Sequence, residues 1–221
     1  MPLVTAEKVF SLPGLNGMVQ VDWGALTGAR ENLVAAAGPI VYLFTASNTG
    51  YVLSSRADVG TQVLSLAAGL PISNGAVDNI VLGMEDRVAL YGSRQGALVR
   101  LAETQPEPGA RFADLALADL DGDGREEIIA APEGMASLFF YRLFGQRDAD
   151  LRLELLAIRL LPGTAQKVVT FRRKGNATPV VAVAYRRNGH SGLLTLIFTE
   201  RGFAEGPALA DLPALVTSLT A

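Results

Sequence analysis

The sequence contains no cysteine and only one histidine, His190. A cysteine nucleophile and a histidine-rich metal site are therefore excluded. An excess of charge of one sign is also lacking, because 19 basic residues stand against 22 acidic ones and the formal net charge is −3. Nucleic acids and anionic lipid surfaces attract basic proteins. We therefore expect neither nucleic acid nor an anionic membrane surface as a partner.

Long hydrophobic runs are absent as well. The longest apolar stretch, Leu33–Phe44, is interrupted by Gly38-Pro39 and is shorter than the roughly 20 residues that a spanning helix needs. The first residues lack the basic and continuous apolar regions of a signal peptide. The sequence also has no GxSxG, GxxxxGK[ST] or GxGxxG motif. We expect no membrane insertion, and the familiar hydrolases, kinases and dehydrogenases are disfavoured.

The apolar residues lie in short β-rich runs that glycine, proline, asparagine and aspartate separate. Four of these runs occupy the same place in a repeat, and their starts are 47, 48 and 52 residues apart. Each has a further apolar run before it and another after it. The four aligned runs are Asn32–Gly38, Asn79–Glu85, Glu127–Glu133 and Pro179–Tyr185. This pattern predicts an all-β protein built from four-stranded units.

A repeat of about 50 residues with four strands is typical of a β-propeller blade. We therefore predict an all-β propeller of about four four-stranded blades, either a small closed ring or half of a larger ring, with a large β-sandwich as the alternative. Residues 1–221 would form a single propeller domain. The predicted repeat units are 18–61, 62–112, 113–163 and 164–212. Strand-borne aromatic residues, Trp23, Phe139, Phe140, Phe171 and Phe198, are expected to pack between blades.

The N-terminal segment predicts how the ring closes. Val9–Gly17 resembles Ile158–Gly163, which ends the third unit as an edge strand. We therefore expect residues 5–17 to add a closing outer strand to the last blade, which removes a free sheet edge. If the ring were instead incomplete, a homodimer of two half-rings would complete it.

The third unit carries the only explicit chemistry of the chain, in the sequence ADLDGDGREEII. Asp119, Asp121 and Asp123 stand at alternate positions, and Glu127 follows at the ninth. Calcium takes six to eight oxygen ligands, and a tight turn with carboxylates at positions 1, 3, 5 and 9 can surround one ion. The main-chain carbonyl of Arg125, at position 7, would add another oxygen. The loop therefore predicts one calcium site.

An EF-hand begins with a similar pattern but needs a glutamate at position 12, which here is Ala130. It also needs a helix on each side, whereas the flanking runs LALAD and EIIAA are typical of strands. Gly124 is expected to take a positive φ, which turns the chain back toward the earlier ligands. We interpret the loop as a calcium-binding β-hairpin.

These residues resemble the motif D-x-D-x-D-G-x-x-D of the FG-GAP/VCBS repeats found in integrin-α-like propellers. Asp119, Asp121, Asp123, Gly124 and Glu127 fill that motif, with glutamate in place of the last aspartate. The other three units lack the motif, so the resemblance covers four blades as architecture and one as a metal site.

The resemblance implies a non-enzymatic calcium-binding propeller that acts as an interaction or structural module. Its partner would be a protein or a carbohydrate bound through the rim loops, which join the strands at the blade ends. The resemblance also implies an extracytoplasmic location. The alternative is a propeller enzyme, such as a polysaccharide lyase or hydrolase, with its site in the central funnel; no catalytic residue can be assigned from the sequence.

Overall fold

The computed structural model describes residues 19–27, 32–48, 50–69, 78–145, 148–173 and 178–212. These residues form sixteen strands in four sheets, together with one short 3₁₀ turn at Asp148–Asp150. The prediction of an all-β protein is confirmed. Within the described ranges, no helix has the length and apolar character needed to cross a bilayer.

Each sheet has four antiparallel strands. Sheet 1 contains β1 (Val19–Gly24), β2 (Asn32–Ala37), β3 (Ile40–Ser47) and β4 (Gly50–Asp58), and sheet 2 contains β5 (Ser65–Gly69), β6 (Asn79–Gly83), β7 (Val88–Arg94) and β8 (Ala97–Glu103). Sheet 3 contains β9 (Phe112–Ala118), β10 (Glu127–Pro132), β11 (Ser137–Phe144) and β12 (Arg152–Leu160), and sheet 4 contains β13 (Thr164–Arg172), β14 (Pro179–Arg187), β15 (His190–Thr199) and β16 (Gly202–Leu212).

Every sheet is a meander in which each strand pairs with the next one along the chain. Tight turns make this possible. Between β14 and β15, for example, Asn188 and Gly189 have φ of 50° and 84°, and an Asn-Gly pair with positive φ at both residues suits a two-residue hairpin. Each sheet is therefore one contiguous stretch of chain.

The four sheets follow the four predicted units closely. The strands of each sheet lie within one unit, except that β9 begins at Phe112, one residue before the unit 113–163. Strand β12 includes the first half of Ile158–Gly163 and is an edge strand of sheet 3. The predicted closing strand, residues 5–17, lies outside the described residues.

The central strands of sheets 2 and 3 are apolar on both faces because each of these two sheets has a neighbouring sheet on either side. In β10, Ile129 and Ala131 belong to the hydrophobic cluster between sheets 3 and 4, whereas Ile128 and Ala130 belong to the cluster between sheets 2 and 3. A third cluster joins sheets 1 and 2. Strands that are covered on both sides need no polar alternation, which explains the continuous apolar runs of the sequence.

Consecutive sheets also make contact through their first strands, in the order β1, β5, β9 and β13. Two carboxylates bridge these neighbours. Asp22 on β1 accepts a hydrogen bond from the Ala68 backbone N–H at 2.7 Å, and Asp114 on β9 accepts one from the Val168 N–H at 2.7 Å. Burial raises the pKa of Asp114, and this hydrogen bond and the Lys167 ammonium oppose that rise.

The expectation for Trp23 is wrong. Its side chain is 56% exposed on β1 and makes an edge-to-face contact with Tyr51 at 5.4 Å between ring centroids. Asp22, the residue before it, contacts sheet 2. Successive side chains of a strand point to opposite faces, so Trp23 lies on the face of sheet 1 that is turned away from sheet 2.

Candidate metal centre

The predicted calcium loop connects β9 to β10 at one end of sheet 3. Gly122 and Gly124 have φ of 80° and 84°, a conformation that residues with a Cβ rarely adopt. The expected positive φ at Gly124 is confirmed. These two glycines allow the chain to reverse twice within a few residues and so bring the start of the loop back toward β10.

Aspartate side chains hold the loop in this shape. The two carboxylate oxygens of Asp119 accept hydrogen bonds from the backbone N–H groups of Gly122 at 2.8 Å and Gly124 at 3.0 Å. The Oδ1 atom of Asp121 accepts one from the Asp123 N–H at 3.1 Å. A carboxylate offers about four lone-pair positions, so these side chains can still bind a cation.

Three of the predicted ligands converge. One carboxylate oxygen from each of Asp119, Asp121 and Glu127 lies within 4.8 Å of the other two. Calcium–oxygen distances are about 2.3–2.6 Å, so oxygens on opposite sides of one ion are about 5 Å apart. The spacing of the three carboxylates therefore fits a single calcium ion.

The other two predicted ligands are Asp123 and the main-chain carbonyl of Arg125, and the carbonyl stays a prediction. Asp123 is exposed and lies outside the group of three, and its Oδ1 accepts a hydrogen bond from the Arg125 N–H at 2.8 Å. The Arg125 guanidinium donates to the Gly145 carbonyl at 3.4 Å. Asp123 thus shapes the second half of the loop, and the Arg125 side chain ties the loop to the end of β11.

Glu127 is the anchor of the site because it is fully buried at the start of β10. Its Oε2 accepts a hydrogen bond from the Leu120 N–H at 2.9 Å, and its Oε1 accepts one from the Arg142 guanidinium at 2.9 Å. Burial raises the pKa of Glu127, although both hydrogen bonds oppose the rise. A buried carboxylate needs such a positive partner to remain ionised.

Arg142 is a residue of the site that the sequence reasoning missed. It donates to both Asp121 and Glu127, and its side chain is 22% exposed. Burial on its own would lower the pKa of Arg142, but the hydrogen bond and negative charge of Glu127, with those of Asp121, raise it. A lone arginine in the apolar run SLFFYRLF was the signal that could have revealed it.

The position of Glu127 is polar in two further sheets. Asn32 and Asn79 occupy the same place at the start of β2 and β6, and both are buried. Asn32 donates to the Thr45 hydroxyl at 3.0 Å and accepts from the Thr27 N–H at 3.0 Å. In sheets 1 and 3, a buried polar side chain at this position therefore fastens the preceding loop to the central strands.

A cleft of about 610 Å³ lies beside the loop, between sheets 3 and 4. Asp119 and Asp121 line it on one side, and Arg172, Phe198 and Glu200 line it on the other. The cleft combines an aromatic surface with charges of both signs. It makes the edge of the carboxylate group accessible to a partner.

A second cavity, here called the inner-strand cavity, has a volume of about 370 Å³ and lies at the opposite end of β9 and β10 from the loop. All four sheets contribute to it, through Gln20 of β1, Gln62 just before β5, Ala113 of β9 and Gln166 of β13. The beginnings of the first strands of all four sheets, here called the inner strands, therefore line one space.

No protein-family model matches the chain, and no curated protein sequence matches it.

Proposed function

We propose that the chain is a non-enzymatic, four-bladed β-propeller of the FG-GAP/VCBS type, which binds one calcium ion and presents its rim loops to a protein or glycan partner. The observation that carries the proposal is the convergence of Asp119, Asp121 and Glu127 within 4.8 Å, in a hairpin loop of a blade-like sheet. The accessible cleft beside that loop supplies a surface for the partner.

Two observations support a closed ring. The inner strands of all four sheets surround the inner-strand cavity, as blades do around a propeller axis. In addition, some central-strand residues of the terminal sheets are buried although no described sheet faces them: Leu33 and Ala35 of β2 lie on the face turned away from sheet 2, and Val180 and Ala182 lie in β14, and all four are at most 6% exposed. Trp23, at the edge of the same face of sheet 1, is exposed. A closed ring would cover such residues.

A closed ring predicts a monomer. Light scattering at several protein concentrations should give a constant mass of 23.3 kDa, because no apolar blade face remains to be covered by a second chain. A mass that doubles as the concentration rises would instead indicate two half-rings and would contradict the closed four-bladed ring.

Calcium would act mainly on the loop. Asp119, Asp121 and Glu127 repel one another, and a divalent cation relieves that repulsion. Arg142 supplies one positive charge at the same place, so an ion at the three carboxylates would have to share Asp121 with the guanidinium. We therefore expect the ion to stabilise the rim and the geometry of the neighbouring cleft.

Calcium titration by calorimetry, combined with thermal melts in calcium and in chelator, tests the metal site. We expect one binding site and a higher melting temperature in calcium, since a ligand that binds only the folded state stabilises it by about 2.7 kcal/mol at 100 times its Kd. Asp119→Asn and Asp121→Asn should each abolish the shift. Asp150→Asn, which replaces an exposed aspartate outside the loop, is the matched control and should retain it.

Asp123→Asn tests whether the ion is bound by every aspartate of the sequence motif or only by those that converge in the structure. Because Asp123 lies outside the group of three carboxylates, we expect this change to weaken calcium binding less than Asp121→Asn does. If calcium neither binds nor raises the melting temperature of the unmodified chain, the loop is an acidic turn neutralised by Arg142 and the calcium proposal fails.

The charges of the inner-strand cavity bear on the hydrolase alternative. Glycoside hydrolysis commonly needs two opposed carboxyl groups. The described lining of this cavity offers one, Glu133, which accepts a hydrogen bond from Arg111 at 3.1 Å. The hydrolase alternative therefore gains no support from this cavity.

A further inference from the structure

The inner-strand cavity contains hydrogen-bonding groups that the fold leaves unused. Gln20 and Gln62 line it from sheets 1 and 2, and their amides make no hydrogen bond to any residue within the described ranges. Gln166 lines it from sheet 4 and uses one N–H, which donates to the Ala165 carbonyl at 3.2 Å. A primary amide offers two donors and one carbonyl acceptor, so most of the capacity of the three amides remains for a ligand.

The ionic groups of the cavity are, by contrast, already paired. Arg111 donates to Glu133 at 3.1 Å and to Glu85 at 3.3 Å, and Lys167 donates to Asp114 at 3.1 Å. An ionic ligand would have to compete with these carboxylates or ammonium and guanidinium groups. The groups that can still form hydrogen bonds are therefore the uncharged amides, and they suit a ligand that both donates and accepts hydrogen bonds.

The rest of the lining is small and apolar. Ala113, Ala131 and Ala165 contribute methyl groups from sheets 3 and 4, and Leu64 adds a larger side chain from sheet 2. These short side chains leave room for a ligand and present an apolar surface beneath the amides. The volume of about 370 Å³ lies within the usual range for small-molecule sites, about 300–1,000 Å³.

We propose that the inner-strand cavity binds the end of a neutral saccharide. The amides of Gln20, Gln62 and Gln166 bond its ring hydroxyls, which also donate and accept, while the alanine methyl groups contact the C–H face of the sugar ring. This inference rests on the proposed function, because it names the class of ligand that the interaction module binds. The site lies away from the calcium loop and needs no ion.

Calorimetric titration in EDTA tests the site, with glucose, galactose, mannose, N-acetylglucosamine and cellobiose as neutral probes and glucuronate and galacturonate as acidic ones. We expect at least one neutral sugar to bind with a Kd on the order of 1 mM, as a dozen non-hydrogen atoms allow. The double variant Gln20→Ala/Gln62→Ala should weaken that binding about tenfold. Gln105→Ala, an exposed glutamine outside the cavity, should leave it unchanged.

Four results would overturn the inference: no binding of any neutral sugar up to about 100 mM, binding of the acidic sugars alone, unchanged affinity in the double variant, or loss of sugar binding when calcium is removed. If the double variant has a lower melting temperature, the sugar affinity of the single variant Gln62→Ala replaces it as the test, because Gln62 is exposed. Asp121→Asn distinguishes the two proposals, since it should remove calcium binding and leave sugar binding intact.

Discussion

Replacing Arg142 with methionine should lower the free energy of unfolding by about 2–3 kcal/mol at pH 7 in EDTA. The change leaves Glu127 fully buried without its positive partner. Breaking a buried ion pair by removing one member costs about 3–5 kcal/mol. Because the Arg142 side chain is 22% exposed, we expect a cost at or below the lower end of that range. Urea denaturation of the two proteins measures the difference.

The loss of stability caused by Arg142→Met should depend on pH in a defined direction. Burial already holds the pKa of Glu127 above its ordinary 4.5, and removal of the guanidinium raises it further. A group whose pKa is higher in the folded than in the unfolded protein favours folding below the unfolded pKa and loses that contribution as pH rises through the folded pKa. The deficit of Arg142→Met should therefore be largest at neutral pH and shrink as pH falls toward 4.5.

Two controls separate the buried pair from a general effect of losing an arginine. Arg100→Met removes an arginine that is 55% exposed and paired at the surface with Glu103, and it should change stability by less than about 0.5 kcal/mol. The double variant Glu127→Gln/Arg142→Met removes both charges and should recover most of the loss. A double variant as unstable as Arg142→Met would contradict the ion-pair explanation.

Calcium adds an independent readout to this experiment. An ion bound to Asp119, Asp121 and Glu127 would replace the missing positive charge, so calcium should restore part of the stability of Arg142→Met. It should also bind this variant more tightly than the unmodified chain, because the guanidinium no longer competes for Asp121. A variant that loses stability but does not respond to calcium would support the ion pair and contradict the metal site.

Phe112→Ala should be the most destabilising single change in the core, lowering the free energy of unfolding by about 3–5 kcal/mol. Phe112 is completely buried between sheets 2 and 3. Its ring makes edge-to-face contacts with Phe139 and Tyr141 at 5.7 and 6.1 Å between centroids. The substitution removes both contacts and leaves a cavity that the surrounding strands cannot fill.

Urea denaturation measures this effect, with Leu160→Ala as the matched control. Leu160 is 75% exposed, so its truncation should cost less than about 0.5 kcal/mol. Domains are stable by only about 5–15 kcal/mol, and Phe112→Ala could therefore unfold at room temperature. Phe112→Leu, with an expected loss of about 1–1.5 kcal/mol, keeps the comparison measurable. Equal losses of unfolding free energy in Phe112→Ala and Leu160→Ala would contradict the assignment of a core between sheets 2 and 3.

The repeat could be predicted from the sequence because burial on both faces leaves a pattern. A strand between two sheets becomes a continuous apolar run, and the runs that start at Asn32, Asn79, Glu127 and Pro179 became β2, β6, β10 and β14. The exposure of Trp23 could not be predicted in the same way. Hydrophobicity indicates that a side chain can be buried, but not which face of a sheet has a neighbour.

Prediction from the sequence has a similar limit at the candidate metal centre. Asp119, Asp121 and Glu127 could be identified because they stand within nine residues of one another. Arg142 left only a weaker signal, a lone arginine in an apolar run, since it lies 15 residues from Glu127 and reaches it only because the register pairs Ile128 with Tyr141. The three glutamines of the inner-strand cavity are farther apart still, and their convergence depends on the packing of separate sheets.

The meander topology has a consequence for how such a chain can change over evolution. Among the residues that the structure describes, every strand–strand hydrogen-bond ladder lies within one contiguous segment, and no ladder links one sheet to another. Duplication or deletion of a whole segment therefore leaves all the ladders of the other sheets intact and requires only that two apolar faces fit each other again. The number of four-stranded sheets is thus free to vary by gene duplication, while the loop between β9 and β10 can change its carboxylates within a single segment.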